Sequence, residues 1–130
     1  MADATWQPYT DGLVSTQTMN SATICALNNN DYWAYTGDNI PQPDEVAHIN
    51  ACLLTPDKAR AEGVRIAGVK YFVMRAEPGM LLGKAGGKGF VAMSSVQAFT
   101  LAVFEGDSQP MHGALREVET MVNNFKDLQY

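Results

Sequence analysis

The sequence predicts an α+β fold, with one central antiparallel sheet and helices over its faces. Residues 64–104 consist of short apolar stretches joined by tight turns, which is typical of an antiparallel meander. The C-terminal segment carries an apolar stripe at helical spacing, as expected for a helix packed on a sheet. The length of 130 residues suits one domain, so residues 1–130 are expected to share a single core.

The N-terminal segment predicts a helix over residues 4–14. Thr5 is a suitable cap, and Pro8 falls within the first turn, where its missing N–H costs little. Trp6 and Tyr9 lie at helical spacing, so their rings are expected on one side of this helix.

A β-hairpin is predicted next, with strands at residues 21–27 and 32–35. The turn between them reads Asn-Asn-Asn-Asp, and asparagine tolerates the positive φ that such turns require. Regular alternation along the second strand predicts two pairs on opposite faces, Trp33 with Tyr35 and Tyr32 with Ala34.

Two more helices are predicted, one before and one after the meander. The first opens at Pro43-Asp44-Glu45, where acidic side chains suit the positive end of the helix dipole. Its predicted buried side consists of Val46, Ile49, Leu53 and Leu54. The second begins after residues 107–110, and its stripe consists of Met111, Leu115, Val118, Val122 and Phe125. The strands between the two helices are predicted at residues 64–67, 70–75, 80–82, 89–93 and 96–104.

Composition disfavours several classes of protein. No run of about 18 apolar residues is present, and the N-terminal residues lack the basic and apolar segments of a secretory signal. Two cysteines, Cys25 and Cys52, are too few for a disulfide scaffold and are expected to be buried thiols. Two histidines without a Cys-x-x-Cys pair do not predict a zinc site. We therefore expect a soluble protein of a reducing, intracellular compartment.

Charge is distributed unevenly along the chain. Seven of the nine basic residues lie within residues 58–88, a window with only two acidic residues, although the net charge is −5. Two interpretations stay open, an acidic partner for one face of the protein or basic side chains that are merely solvated. Nucleic acid is disfavoured, because the basic residues lack interleaved aromatic residues or a helix-turn-helix context.

Catalysis and nucleotide binding are also disfavoured. The candidate nucleophiles and bases form no recognisable elbow or triad order; they are Cys25, His48, Cys52, Ser94, Ser95 and His112. The glycine-rich residues 79–84 are one residue short of a Walker A loop, and Ala85 stands where a metal-binding hydroxyl is needed. We interpret residues 83–89 as a hairpin that displays Lys84 and Lys88.

Four large amphipathic rings are the most informative set of side chains: Trp6, Tyr9, Trp33 and Tyr130. They could complete the core. They could instead form a stacking groove for proline rings, which needs flat aromatic faces with N–H and O–H donors aimed at peptide carbonyls. A proline-rich ligand is ordered beforehand as a polyproline II helix, so binding costs little entropy.

These residues resemble the profilin family over essentially the whole chain. Residues 6–11, Trp-Gln-Pro-Tyr-Thr-Asp, resemble its N-terminal signature, in which an aliphatic residue usually occupies the position of Thr10. Trp33 stands on the second strand, where the family keeps another tryptophan. Glu77-Pro78-Gly79 with the glycine-lysine hairpin resembles plant and protist members, and residues 125–130 resemble the end of animal members.

The resemblance implies a profilin-like fold, with the N- and C-terminal helices on one face of the sheet and smaller helices on the other. It also implies binding of monomeric actin, of proline-rich segments of actin regulators such as formins, and weakly of phosphoinositide head groups. The implied polyproline-binding residues are Trp6, Tyr9, Trp33, Asn124 and Tyr130, where Asn124 replaces a histidine of animal members. The implied actin-binding residues are Lys70, Arg75, Lys84, Lys88 and His112.

Family resemblance further implies a cytoplasmic, cytoskeletal protein that regulates actin polymerisation and nucleotide exchange without catalysis, cofactor or metal. Two alternatives from other classes stay open at this point. A trafficking or scaffold domain of the longin or roadblock type has a similar size and architecture, but it would not explain the aromatic set. A nucleotide-binding enzyme that uses the glycine hairpin is disfavoured by the spacing of the glycines.

Overall fold

The computed structural model describes residues 6–15, 19–27, 29–105 and 108–130, with the side chains of the last helix described from residue 113 onward. The helices are α1 (Gln7–Ser15), α2 (Pro43–Leu54), α3 (Pro56–Glu62) and α4 (Ser108–Asp127). The strands are β1 (Ser21–Ala26), β2 (Tyr32–Thr36), β3 (Val64–Ile66), β4 (Val69–Glu77), β5 (Met80–Ala85), β6 (Lys88–Ser94) and β7 (Ala98–Glu105).

All seven strands belong to one antiparallel sheet in the order β2-β1-β7-β6-β5-β4-β3. Two-residue turns join β3 to β4, β4 to β5 and β5 to β6, which makes the meander that the turn signals predict. β1 pairs with β2 along one edge and with β7 along the other, so the N-terminal hairpin extends the sheet beyond β7. The predicted α+β class with one central antiparallel sheet is confirmed.

The two faces of the sheet carry different helices. On one face, which we call the terminal-helix face, α1 and α4 bury Leu13, Val118 and Val122 against side chains such as Phe104. On the other face, α2 and α3 cover a larger cluster that includes Phe90 and Phe99. The predicted division of the helices between the faces is therefore confirmed.

Helix α3 has no counterpart among the sequence predictions. Pro56 begins it after Thr55, directly behind α2, and buried Ala59 packs it against the larger core cluster. The predicted burial of Leu54 is wrong, because α2 ends at this residue and its side chain is exposed. The predicted start of the first helix at residues 4 and 5 lies outside the described residues.

The glycines of the β5–β6 hairpin are required by packing. A Cβ atom on Gly83 would lie 2.3 Å from the Phe90 ring, and one on Gly89 would lie 2.5 Å from the Phe104 ring. Both distances are far below van der Waals contact, so only glycine lets these buried rings lie flat on the neighbouring backbone. Ring packing thus accounts for these two glycines without any bound phosphate.

A β-bulge changes the predicted faces of β2. Ile24 of β1 pairs with Ala34 and Cys25 pairs with Tyr32, so Trp33 is an extra residue without a partner of its own. Trp33 therefore packs with Ile24 on the terminal-helix face. The prediction that it shares a face with Tyr35 is wrong, because the ring of Tyr35 instead contacts that of Tyr32 on the other face.

Candidate functional sites: an aromatic groove and an open sheet face

Three elements, α1, β2 and α4, bring the four predicted aromatic rings together. Trp6 precedes α1, Tyr9 lies in its first turn, Trp33 is the bulged residue of β2, and Tyr130 follows α4. The Trp6 centroid lies 4.8 Å from that of Trp33, 5.8 Å from Tyr9 and 4.9 Å from Tyr130. All four rings are partly accessible, so their faces form a shallow aromatic groove at the surface.

Phe125 of α4 forms the floor of this aromatic groove. Its side chain is 1% exposed, and its centroid lies 5.3 Å from Trp6 and 5.0 Å from Tyr9, with both pairs edge to face. Sequence reasoning placed Phe125 in the core stripe of the last helix and missed this role. The signal that could have indicated this role is its position at the end of the apolar stripe, shortly before the aromatic residue Tyr130.

The position of Tyr130 is fixed by the way α4 ends. The N–H of Tyr130 donates to the carbonyl of Phe125 at 2.7 Å, and that of Gln129 donates to Lys126 at 3.0 Å. Gln129 has a φ of 65°, so these residues form a Schellman motif with a left-handed residue at its usual place. The turn folds Tyr130 back beside the aromatic groove.

The loop between β6 and β7 holds the same terminus from the other side. The backbone N–H of Gln97 and the hydroxyl of Ser95 both donate to the carbonyl of Tyr130, the latter at 3.0 Å. The Gln97 side chain also donates to the carbonyl of Gln129 at 2.9 Å. The loop thereby holds the carbonyls of both Gln129 and Tyr130, as expected where a binding residue is preorganised.

Polar contacts attach α1 to β2. The side-chain amide of Gln7 donates to the carbonyl of Tyr35 at 2.7 Å and to the hydroxyl of Thr36 at 2.9 Å. The Thr36 hydroxyl donates to Asp11 Oδ1 at 2.6 Å and lies 2.9 Å from the hydroxyl of Thr10. Hydrogen bonds from Thr36 and Gln7 lower the pKa of Asp11, because they favour its charged form.

Asn124 lies in α4 immediately before Phe125, and its side chain is exposed. Its backbone carbonyl accepts the N–H of Leu128, which belongs to the last turn of the helix. Its backbone thus adjoins that of Phe125, and a contribution of its side chain to the groove stays a prediction.

A second surface is the part of the terminal-helix face that α1 and α4 leave uncovered. α4 packs over β6 and β7 and, with α1, buries Leu82 of β5, whereas the side chains of β4 on this side, Phe72 and Met74, are exposed. Its centre is apolar, because Phe72 is 84% exposed and Met74 is 59% exposed. We call this surface the open face of β4 and β5; it consists of Lys70, Phe72, Met74, Arg75 and Lys84.

A second β-bulge brings Arg75 to the open face. Val73 pairs with Gly83 and Arg75 with Leu82, so Met74 is the extra residue. Regular alternation would have placed Arg75 on the buried face with Tyr71 and Val73. Sequence reasoning found the basic residues of this surface but missed Phe72 and Met74, although Phe72 falls two residues after Lys70 and therefore on the same face.

Pairing differs among the basic residues of the open face. Arg75 forms an ion pair with Glu77, whereas Lys70 and Lys84 have no ion-pair partner within the described part of the chain. Lys84 lies across the strand from Phe72, so one unpaired cation flanks the exposed ring directly. An apolar centre with free cations around it suits a partner that is apolar at its centre and acidic at its edge.

Lys88 does not join this surface. It lies opposite Ala85 and Glu105, whose side chains point to the α2–α3 face, and its Nζ is 3.4 Å from Asn39 Oδ1. The β5–β6 hairpin therefore presents Lys84 and Lys88 on opposite faces. His112 lies within α4, but its side chain is outside the described residues.

The described residues offer no cluster of metal ligands, and burial raises the pKa of both cysteines. No group of three histidine, cysteine or acidic side chains among them could hold a metal ion. Cys52 Sγ lies 3.4 Å from His48 Nε2, but burial raises the pKa of this thiol to about 11. A thiol with so high a pKa is a poor nucleophile at neutral pH. No helix in the same residues is both long and apolar enough to cross a membrane.

Comparison with known proteins identifies the family. The sequence matches the profilin family over residues 4–130. It is 36% identical over 121 residues to a profilin of Trypanosoma brucei brucei, an alignment that covers 88% of this chain and 81% of the relative. The chain belongs to the profilin family. Profilins are actin-binding regulators of the cytoskeleton, so the longin or roadblock alternative is set aside.

Two solved structures show the same fold. A profilin of Schizosaccharomyces pombe superposes with a TM-score of 0.88 at 22% identity, covering 96% of this chain and 99% of that one. Mouse profilin IIa in complex with a double repeat from the FH1 domain of mDia1 superposes with a TM-score of 0.77 at 19% identity, covering 98% and 100%. At these identities the likeness concerns the fold.

Proposed function

We propose that this profilin binds proline-rich peptides in the aromatic groove formed by Trp6, Tyr9, Trp33 and Tyr130. The observation that carries the proposal is the accessible cluster of rings around Trp6, with centroids 4.8 to 5.8 Å away. Proline rings stack on flat aromatic faces, and indole N–H and phenol O–H groups can donate to the peptide carbonyls. The FH1-bound mouse profilin supports this ligand class.

The groove can be tested with a pair of neighbouring aromatic substitutions on β2. Trp33→Ala should weaken binding of a proline decamer by about 2 kcal/mol or more, the size expected of an aromatic hot spot. Tyr35→Ala is the matched control, because it removes an exposed ring of the same strand that points to the other face. Isothermal titration calorimetry measures both. Equal affinities for Trp33→Ala and the unmodified protein would contradict the proposal.

We further propose that the open face of β4 and β5 binds monomeric actin. Phe72 and Met74 supply an apolar centre, while Lys70, Arg75 and Lys84 supply a basic rim for an acidic partner. By covering one end of the monomer, such a protein would block spontaneous nucleation and favour nucleotide exchange. A peptide bound in the aromatic groove would then deliver the monomer to a growing filament end.

The two lysines of the β5–β6 hairpin test this second surface. Lys84→Glu should weaken binding of actin monomers, because it reverses a cation beside Phe72. Lys88→Glu makes the same change four residues away on the opposite face, so it should have a much smaller effect. Fluorescence titration of labelled actin compares them, with decamer binding as the measure of folding. Equal losses in both variants would argue against this placement of the actin surface.

Phosphoinositide head groups are a third proposed ligand, bound weakly through the same basic residues. Each basic side chain near an anionic membrane surface contributes about 1 kcal/mol, but the net charge of −5 opposes binding. Vesicle flotation that does not depend on phosphoinositide content would count against the lipid proposal.

We propose that the chain acts as one domain over residues 1–130, through binding rather than catalysis, in the cytoplasm with the actin cytoskeleton.

A further inference from the structure

Helix α1 and the residue before it supply two of the four rings of the aromatic groove, and the other apolar attachment of the helix consists of Leu13 and the partly buried Val14. It comprises nine residues, of which only Thr10 and Leu13 are buried. Isolated helices of this length are marginal in water, so tertiary contacts must hold α1 in place. Trp6 and Tyr9 contribute contacts, but these rings are themselves what has to be positioned.

The remaining attachment is a polar cluster on the side of α1 that faces β2. The side-chain amide of Gln7, one turn before Asp11, donates to the carbonyl of Tyr35 and to the hydroxyl of Thr36 on β2. Its nitrogen also lies 3.1 Å from Asp11 Oδ1. Thr36 thus accepts from Gln7 and donates to Asp11 with its single hydroxyl. The Thr36 hydroxyl is thereby used as acceptor and as donor at once, which links the helix to the strand through one side chain.

Thr36 and Trp33 belong to the same strand, and Asp11, Gln7 and Tyr9 to the same helix. A contact between Thr36 and Asp11 therefore sets the offset between the helix and the strand, and with it the 4.8 Å separation of Trp6 from Trp33. Thr10, buried in the same cluster, adds a hydroxyl 2.9 Å from that of Thr36. None of Gln7, Asp11 and Thr36 belongs to the ring cluster itself.

We propose that Gln7, Asp11 and Thr36 form a polar clamp that positions the peptide groove, so that they determine affinity for proline-rich peptides without touching the ligand. The proposal rests on the peptide-binding function argued above. In this proposal the clamp makes no contact with the peptide. It acts only by setting the spacing between Trp6 and Trp33. Its effect should therefore be confined to the groove and absent from the open face of β4 and β5.

Substitutions in the clamp give the first test, with the full chain and a capped proline decamer. Thr36→Val keeps the shape of the side chain and removes the hydroxyl, and Asp11→Asn removes the charge. Each should weaken decamer binding roughly three- to tenfold, the size expected for the loss of one ordinary hydrogen bond. The double variant should be little weaker than the worse single variant, because both act on the same charge-assisted bond, which Thr36→Val removes and Asp11→Asn weakens. Thr36→Ser should retain the affinity.

Two measurements separate positioning from a general loss of structure. Actin-monomer binding should stay within about twofold in every clamp variant, whereas a destabilised fold would lower both activities. The coupled circular dichroism of the Trp6–Trp33 pair should weaken in Thr36→Val and recover in Thr36→Ser. Ser15→Ala is the control on α1, since the bond of its hydroxyl within the described residues goes to Gly12 of the same helix.

Several outcomes would overturn the clamp. Decamer affinity within twofold of the unmodified protein in both single variants would show that it does not position the groove. Parallel loss of decamer and actin binding would show an ordinary structural role. If the unmodified protein failed to bind the decamer, the proposed peptide function would fail, and unchanged tryptophan coupling in Thr36→Val would then refute the clamp separately.

Discussion

Both cysteine side chains are buried in the core on the α2–α3 face. Burial raises the pKa of Cys25 to about 12 and that of Cys52 to about 11, because the thiolate cannot be solvated there. At pH 8 the thiolate fraction of Cys52 is then about one in a thousand, and only the thiolate reacts. We expect both thiols to be inert to a disulfide reagent in the folded protein.

The measurement is the rate of thiol labelling with Ellman's reagent at pH 8, with and without urea. Labelling should be slow in buffer and fast in urea, and the slow rate should rise with pH as the thiols ionise. Fast labelling of either cysteine in the folded protein would mean that its side chain is accessible.

Asn124 is the residue at which the family resemblance predicts a departure from the histidine of animal profilins. An imidazole ring offers a larger face for stacking than a carboxamide, and it can still donate a hydrogen bond. Asn124→His should tighten binding of the proline decamer by up to about 1 kcal/mol, the scale of one added aromatic contact. Asn123→His, on the preceding exposed position of α4, is the matched control. Unchanged affinity for Asn124→His would mean that residue 124 points away from the ligand.

At the scale of single elements, the Schellman turn after α4 offers a test of how Tyr130 is positioned. Gln129 occupies the left-handed region at φ 65°, where a side chain costs about 1 kcal/mol relative to glycine. Gln129→Gly should therefore raise the free energy of unfolding by up to about 1 kcal/mol and preserve decamer binding, since only backbone groups of Gln129 are used.

Gln129→Val is the contrasting variant, because a branched side chain is strongly disfavoured at this φ. It should loosen the turn, displace Tyr130 and weaken decamer binding more than it lowers the midpoint of urea unfolding. Decamer affinities that are the same in the glycine and valine variants would show that the turn does not control the position of Tyr130.

Elements differ in how well the sequence predicts them. The meander and the stripe of α4 follow from local signals, turn residues and apolar spacing, and Val118, Val122 and Phe125 are buried as predicted. The bulges at Trp33 and Met74 do not follow, because an extra residue depends on the register that the partner strand adopts. Each bulge shifts the alternation of side chains by one residue. Regular alternation therefore predicts the wrong face of the sheet for Tyr35 and Arg75.

The same limit applies to the two sites. The sequence shows the amphipathic aromatic residues of the groove one by one, and the structure brings them together around Trp6. They are Trp6, Tyr9, Trp33 and Tyr130. The role of Phe125 as their floor depends on how α4 crosses the sheet, which no spacing encodes. Separation of Lys84 from Lys88 depends on the pairing across the hairpin, whereas their nearness in sequence suggested one surface.

At the scale of the whole molecule, the two proposed surfaces differ in chemistry. The aromatic groove is built of rings, and the open face of β4 and β5 combines an exposed phenylalanine with lysines that have no ion-pair partner among the described residues. Charges at the rim of an interface are screened by salt, as the Debye length falls from about 10 Å at 0.1 M to about 3 Å at 1 M. Stacking of an uncharged proline peptide on aromatic rings does not depend on such charges, so salt should affect it little.

Ionic strength should therefore separate the two activities in one protein. Raising the salt concentration should weaken binding of a non-polymerisable actin monomer severalfold and leave decamer affinity within about twofold. The salt dependence of actin binding should be smaller in Lys84→Glu, which lacks one of the rim cations, and unchanged in Lys88→Glu, whose side chain points to the other face. Titrations of both ligands across the same salt series measure these slopes. If decamer and actin affinities fell in parallel, the two ligands would share a charged surface, and the assignment of the groove and the open face to separate partners would be wrong.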